Sequence, residues 1–327
     1  MAKTLTWGLL STARINRRLI PAIRSARGHR LRAVASRELE HAKNYAREWS
    51  IPIAYGSYEQ LLSDPEIDII YNPLPNNLHM EWCVRAAETG KHVLCEKPLA
   101  LSLQEVDTII AAANEHQVVI AEAFMYRSLE CTLKLQELLK AGVIGEVRHI
   151  NSVYTVQLGR PDNFRWRPEN GGGSLWDLGC YPVSYARLIM GGNPVEVYGV
   201  ADNTHLGVDR AFTCLLAYAN GTTARFFTGF ELPYSSRLEI QGTLGTIIFD
   251  SPVIPEKTRP PVLVKDGRVE KISTPLPREL YMGEVEDMGR AVLKQAEQRL
   301  RLQESREINQ VLVALYESAK MGAPIRL

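Results

Sequence analysis

WGLLSTARIN, residues 7–16, is the end of an apolar run that stops at Ser11-Thr12 and gives way to a helical pattern from Ala13 to about Ser25. A strand feeding a helix through a turn of small residues is how a doubly wound α/β domain begins. A dinucleotide-binding turn has the form G-x-G-x-x-G/A. Here Gly8, Ser11 and Ala13 stand instead in a G-x-x-S-x-A pattern. Gly8 would permit the tight turn, Ser11 would let the backbone approach a pyrophosphate, and Ala13 would let helix and strand pack closely. The Ser11 and Thr12 hydroxyls, with Arg14 and Ile15 beside them, would open onto the helix N-terminus, where phosphate is favoured. A turn without a ligand would use the same small residues, so the surrounding pattern has to decide.

That pattern is regular. LRAVAS, IPIAY, IDIIYNPL, HVLCE and VVIAEAF read as further strands, and helical stretches lie between them. Ser102 with Glu105 forms the capping box of one of these helices. Alternation of this length predicts βαβ units and a buried parallel sheet over residues 1–123. From residue 124 the texture changes to longer strands with two-residue alternation. They are punctuated by Asn220-Gly221 and Lys265-Asp266-Gly267, both hairpin signals, and by one helix over roughly 174–189. The expected fold is α/β: an N-terminal Rossmann sheet, then an α+β domain over 124–327 with a large, open, mainly antiparallel sheet.

The chain has 327 residues, 45% of them hydrophobic and 23% charged, with a net charge of +1. Near-neutral charge gives no general attraction to nucleic acid or anionic lipid. No apolar run reaches the length of a membrane span, and MAKTLTWGLL lacks the features of a signal peptide. The five cysteines (Cys83, Cys95, Cys131, Cys180, Cys214) are scattered and contain no CxxC pair. This predicts core thiols, no metal site, and a cytoplasmic location.

After the second strand an NAD site normally places an acid on the ribose 2′-hydroxyl. AVASREL puts Ser36 and Arg37 there, a hydroxyl and a planar guanidinium suited to a 2′-phosphate. NADP is therefore expected over NAD. HVLCEKPLA, residues 92–100, ends a strand with Glu96, Lys97 and Pro98. A lysine at the carboxyl edge of such a sheet could stabilise charge on an oxygen as hydride moves, and partial burial would lower its pKa. A solvated strand-end lysine is the ordinary alternative. YNPLPNNLH brings Pro73, Leu74, Asn76 and His79 to the same edge. NFRWRPENGGGSLWDLGCY places Asp177 and Tyr181 four residues apart, on one helix face.

GLLSTARI, YNPLPNNLH, CEKPLA, EAFMYR and GGGSLWDLGCY, in that order, resemble the Gfo/Idh/MocA oxidoreductases over nearly the whole chain. The resemblance is to the branch with dihydrodiol dehydrogenase, NADP-dependent xylose dehydrogenase and glucose–fructose oxidoreductase. It implies that Lys97 is the catalytic lysine, followed by a cis-proline, and that Asp177 and Tyr181 are its partners. It also implies cofactor contacts from Glu96, Arg165 and Trp166, substrate contacts from Tyr126, Arg127 and Asn163, and oligomer formation through the C-terminal sheet. Many relatives carry His where this chain has Tyr181, and RSLECT departs from the usual continuation of EAFMYR. The implied activity is hydride transfer between NADP(H) and a hydroxyl or carbonyl carbon of a sugar, polyol or cyclic diol, in a homodimer or homotetramer. A non-catalytic NADP-binding regulator and an NAD-dependent glycoside-cleaving enzyme are the alternatives.

Overall fold

A computed structural model describes residues 3–159 and 163–327. The contacts divide the chain into two units: Met1–Ser128 with Pro277–Arg306, and Leu129–Leu276 with Glu307–Leu327. The expected partition at 123/124 ran on sequence continuity. The contacts instead return residues 277–306, which include helix α8 (Met282–Val292), to the first unit.

In the first unit the strands are β1 (Leu5–Leu10), β2 (His29–Ala35), β3 (Ile53–Tyr55), β4 (Ile69–Asn72), β5 (His92–Glu96) and β6 (Ile120–Ala123). All pairs are parallel, in the order β3-β2-β1-β4-β5-β6. Helices α1 (Asn16–Ser25), α2 (Leu39–Glu48), α3 (Tyr58–Leu62), α4 (His79–Glu88) and α5 (Leu103–Glu115) alternate with the strands. Every residue of β1, β4 and β6 is buried, as expected when helices cover both faces of a sheet. Chain order reverses between β1 and β4, and this switch point opens at the carboxyl ends of the strands, where ligands bind in such sheets. Ser102 caps α5 as predicted: its hydroxyl accepts the Glu105 N–H, while Glu105 accepts from Leu101 N–H.

One expectation about the first turn is corrected. Gly8 lies inside β1, and a Cβ there would come within 2.9 Å of Ile67 Cδ1 and 3.1 Å of Leu61 Cδ1. Its smallness serves strand–helix packing, not the turn. The turn is made at Ser11, whose φ is 71°.

In the second unit, α6 (Glu130–Lys140) leads into β7 (Val147–Gln157). The other strands are β8 (Glu196–Asn203), β9 (Asp209–Ala217), β10 (Thr223–Gly229), β11 (Glu231–Gly242), β12 (Thr246–Asp250), β13 (Val262–Lys265), β14 (Arg268–Lys271) and β15 (Ile325–Arg326). They form one sheet, β14-β13-β12-β11-β7-β10-β9-β8-β15, with β7·β10 its parallel pair and the rest antiparallel. Both hairpins form where predicted. Gly221 has φ 81°, and Asp266-Gly267 have φ 51° and 72°, the two positive values of a type I′ turn. Helix α7 (Cys180–Met190) packs on β7, and α9 (Leu302–Met321) closes the described helices.

Candidate active site

Three segments of the first unit meet at the carboxyl edge of its sheet. The first is the turn after β1. Ser11 holds the left-handed conformation while its carbonyl accepts from Asn16 Nδ2 at 2.9 Å. Helix α1 then begins with no side-chain cap and no acid in its first turn. A helix N-terminus left in this state favours an anionic group, so Ser11, Thr12, Ala13, Arg14 and Ile15 border a site suited to a pyrophosphate. At the end of β2 the Ser36 hydroxyl accepts from Glu38 N–H at 3.5 Å, and Arg37 projects into solvent with its charge felt by Tyr58. Ser36 and Arg37 stand at this strand end, and the first acid after them is Glu38.

The second segment follows β4. Asn72 ties it together, its Oδ1 accepting from Leu74 N–H and its Nδ2 donating to the His79 carbonyl. His79 is fully buried, with Nδ1 2.8 Å from the Pro98 carbonyl and Nε2 2.8 Å from the Leu74 carbonyl. Both ring nitrogens therefore face backbone, and the ring braces one loop against another. Burial pulls its pKa down, so the neutral ring donates to one carbonyl at a time. Pro73, Leu74 and Asn76 are buried around this brace.

The third segment carries Lys97 on a cis peptide to Pro98 at the end of β5. Carboxyl groups fasten this segment from several sides. Glu96 accepts from the Tyr71 hydroxyl at 2.5 Å and from Lys97 N–H at 3.3 Å. Glu122, on β6 beside Cys95, accepts from Leu99 N–H at 2.8 Å. Burial raises the Glu122 carboxyl to about 7, although Arg127 and Lys97 work against the shift. Glu284 on α8 is buried as well, and burial followed by the charge of Glu96 holds it well above the carboxylate range. Tyr71, Glu122 and Glu284 escaped the sequence reading. Glu122 stood inside the quoted EAFMYR, but nothing local marked its side chain as the acceptor for a strand end 23 residues earlier.

Tyr126 and Arg127, expected at the substrate, are buried. Arg127 Nε donates to the Tyr126 hydroxyl at 3.1 Å, and its Nη1 lies 3.7 Å from Glu304.

The second unit contributes its own constellation. Three glycines bring it about. Gly171 (φ 70°) ends a 3₁₀ turn, Gly172 and Gly173 donate to the carbonyls of Arg167 and Arg165, and Gly173 takes φ 131°. The chain then makes a single π turn, Leu175–Gly179, before α7. Asp177 thus sits on a π turn and not on the regular helix predicted from its spacing to Tyr181. Such turns recur at functional sites because they re-aim a side chain. Arg165 Nε donates to Asp177 Oδ2 at 2.7 Å, so Arg165 belongs with Asp177 in this unit. Asn163 Oδ1 accepts from Arg165 N–H, which makes Asn163 the cap of the 3₁₀ turn Phe164–Trp166. Trp166 stands edge-on to Phe230, centroids 5.2 Å apart. The Tyr181 ring meets Tyr154 at 5.5 Å, and Tyr154 meets Tyr234 at 6.4 Å. Burial first, then Tyr234 and Asp177, drive the Tyr154 hydroxyl far above the ordinary phenol range. Tyr154 and Tyr234 also escaped the sequence reading, because they lie on ordinary alternating strands.

Comparison with known proteins agrees with this architecture. The model of an oxidoreductase family with an NAD-binding Rossmann fold (GFO/IDH/MocA) matches residues 6–124, and that of the GFO/IDH/MocA C-terminal domain matches residues 132–248. The chain is 38% identical to D-xylose 1-dehydrogenase (NADP(+)) 2 of Haloferax volcanii, covering 99% of this chain and 100% of that one. It is 32% identical to trans-1,2-dihydrobenzene-1,2-diol dehydrogenase of Xenopus tropicalis, over 82% and 81% of the two chains. Among solved structures, a 3-ketoreductase from Actinomadura kijaniata in complex with NADP and TDP-benzene superposes with a TM-score of 0.90 at 27% identity, covering 97% and 98%. Aldose–aldose oxidoreductase from Caulobacter crescentus shares the fold, with a TM-score of 0.92 at 24% identity over 99% and 100%.

Proposed function

The chain belongs to the GFO/IDH/MocA family of oxidoreductases, and on that premise we propose that it transfers hydride between NADP(H) and a hydroxyl- or carbonyl-bearing carbon of a sugar, polyol or cyclic diol. The observation that carries the reading is the station of Lys97: one strand beyond the β1/β4 switch point, at the carboxyl edge, on a loop fastened by His79, Glu96 and Glu122. A lysine carried on a backbone so fastened is presented to a reacting oxygen from a fixed station.

When bound, NADP(H) supplies the hydride acceptor or donor. The Ser11–Ile15 turn would hold its pyrophosphate, Ser36 and Arg37 its 2′-phosphate, and Pro73, Leu74, Asn76 and Glu96 its nicotinamide half. Lys97 donates a hydrogen bond to the substrate oxygen and stabilises its developing charge. Tyr181 exchanges the proton of that oxygen, and Asp177, held by Arg165, orients the substrate. The 2′-phosphate reading is supported by Ser36 and Arg37 after β2 and by the NADP named for the Haloferax and Actinomadura relatives.

The chain is read as cytoplasmic. All five cysteines are free and buried, and no helix among the described residues is long and apolar enough to cross a membrane. It is read as a homodimer or homotetramer through the second sheet. Tyr198, Val200 and Leu215, neighbours in register on one face, are exposed there.

The test is an absorbance assay at 340 nm with NADP⁺ and NAD⁺ in parallel, across D-xylose, D-glucose, glycerol and trans-1,2-dihydrobenzene-1,2-diol. NADPH formation with at least one substrate is expected. Silence across the panel with both cofactors would refute the reading.

A further inference from the structure

Asp209 lies at the start of β9 and is buried to 2% exposure, yet it is 28 residues from Tyr181 and belongs to none of the motifs above. Its carboxylate collects three donors. Oδ2 accepts from the Ser174 hydroxyl at 2.8 Å and from Leu175 N–H at 2.8 Å, and Oδ1 accepts from the Tyr316 hydroxyl at 2.7 Å. Ser174 gives its one proton to Asp209, so Thr228, 3.1 Å away, is the donor to Ser174. Leu175 opens the π turn that carries Asp177 and leads into Tyr181. A carboxylate accepting the first N–H groups of a helix both satisfies them and meets the positive end of the dipole. Asp209 does this from a different strand.

The third glycine of the loop finds its reason here. A Cβ on Gly173 would lie 2.1 Å from Asp209 Oδ1 and 2.7 Å from the Tyr316 hydroxyl. Glycine is what lets the carboxylate reach the turn. Burial raises Asp209 to about 6, against the pull of its three donors, so the group stays ionised above that pH.

We propose that Asp209 is a positioning residue for the Asp177–Tyr181 turn, setting the aim of both side chains through Ser174 and the Leu175 amide. This rests on the reading that Asp177 and Tyr181 act on substrate. Misplacing a reacting group by about 1 Å can cost on the order of 10²-fold in rate. The expectation is therefore a loss in kcat with cofactor binding intact, because the proposed cofactor contacts on Ser11–Ile15, Ser36 and Arg37 lie in the first unit.

The experiment compares wild type with Asp209→Asn, Tyr316→Phe and Tyr181→Phe. It measures kcat on the fastest panel substrate, Kd for NADPH by fluorescence, and amide hydrogen exchange by mass spectrometry. Asp209→Asn should lower kcat on the order of 10²-fold, leave NADPH Kd within about twofold, and speed exchange in peptides spanning 174–181. Tyr316→Phe should do the same more weakly, and it carries the test if Asp209→Asn does not fold. The inference is overturned if Asp209→Asn keeps wild-type kcat, or if exchange rises across the whole second unit with no preference for 174–181. If Tyr181→Phe keeps full activity, the catalytic reading fails on its own account, whatever Asp209→Asn does. If Tyr181→Phe is inactive and Asp209→Asn is not, only the role of Asp209 falls.

Discussion

At the scale of single residues, burial raises the pKa of the Glu122 carboxyl, and the effect is measurable. Glu122 holds its proton up to about pH 7 when folded, whereas an unfolded glutamate releases it near 4.3. Its folded pKa is raised, so its contribution to stability is full below about pH 4 and is lost as pH rises to 7. The most it can cost above that is roughly 4 kcal/mol. Glu122→Gln keeps an oxygen for Leu99 N–H and carries no charge. Its melting temperature should gain on wild type by several degrees between pH 5 and pH 8; a difference that stayed constant over that range would contradict the assignment. Arg37 offers a second residue-scale prediction. A charged hydrogen bond to phosphate is worth about 1.5–3 kcal/mol, so Arg37→Ala should raise KM for NADP⁺ by about tenfold or more. KM for NAD⁺ should stay unchanged. Equal shifts for both cofactors would remove Arg37 from the 2′-phosphate. The proposed preference was open to sequence reading because it was argued from two adjacent residues at the end of one strand. The Glu122–Leu99 bond could not, because it depends on the register of β5 against β6.

At the scale of elements, turns and caps were legible wherever their chemistry is local. Asn220-Gly221, Asp266-Gly267 and the Ser102 box need only a few neighbouring residues. The first βα turn was placed correctly, but its glycine was misread. A glycine one step inside a strand looks the same in sequence as a glycine at the turn, and only Leu61 and Ile67 tell them apart. The π turn was read as an α-helix because spacing of four fits both within one turn. Glycine substitutions should separate these roles. Gly221→Ala meets nothing within 4 Å and keeps only the strain of φ 81°, so chemical denaturation should show a loss of about 1–2 kcal/mol. Gly173→Ala adds collision with Asp209 to that strain and should cost clearly more. Equal losses would contradict the close approach seen between Gly173 and Asp209.

At the scale of the molecule, alternation of strand and helix was enough to name a Rossmann unit, because parallel strands need crossover helices and bury both faces. The second sheet was legible in its alternation and hairpins. Its strand order was not, since the parallel β7·β10 pair joins segments some 70 residues apart. The same holds for Pro277–Arg306, which chain order assigns to the second half and contacts assign to the first. Near-neutral net charge gives no general attraction to nucleic acid or anionic lipid, and the proposed substrate class came from the relatives. The central claim is that Lys97 stabilises the charge developing on the oxygen bonded to the carbon that gives or receives hydride. Its most direct test is single-turnover reduction of NADP⁺ at 340 nm by Lys97→Ala beside wild type, with NADPH affinity measured on the same samples. A fall in rate on the order of 10²-fold or more, at unchanged affinity, is the predicted result. Near-wild-type hydride transfer by Lys97→Ala with cofactor bound would contradict it.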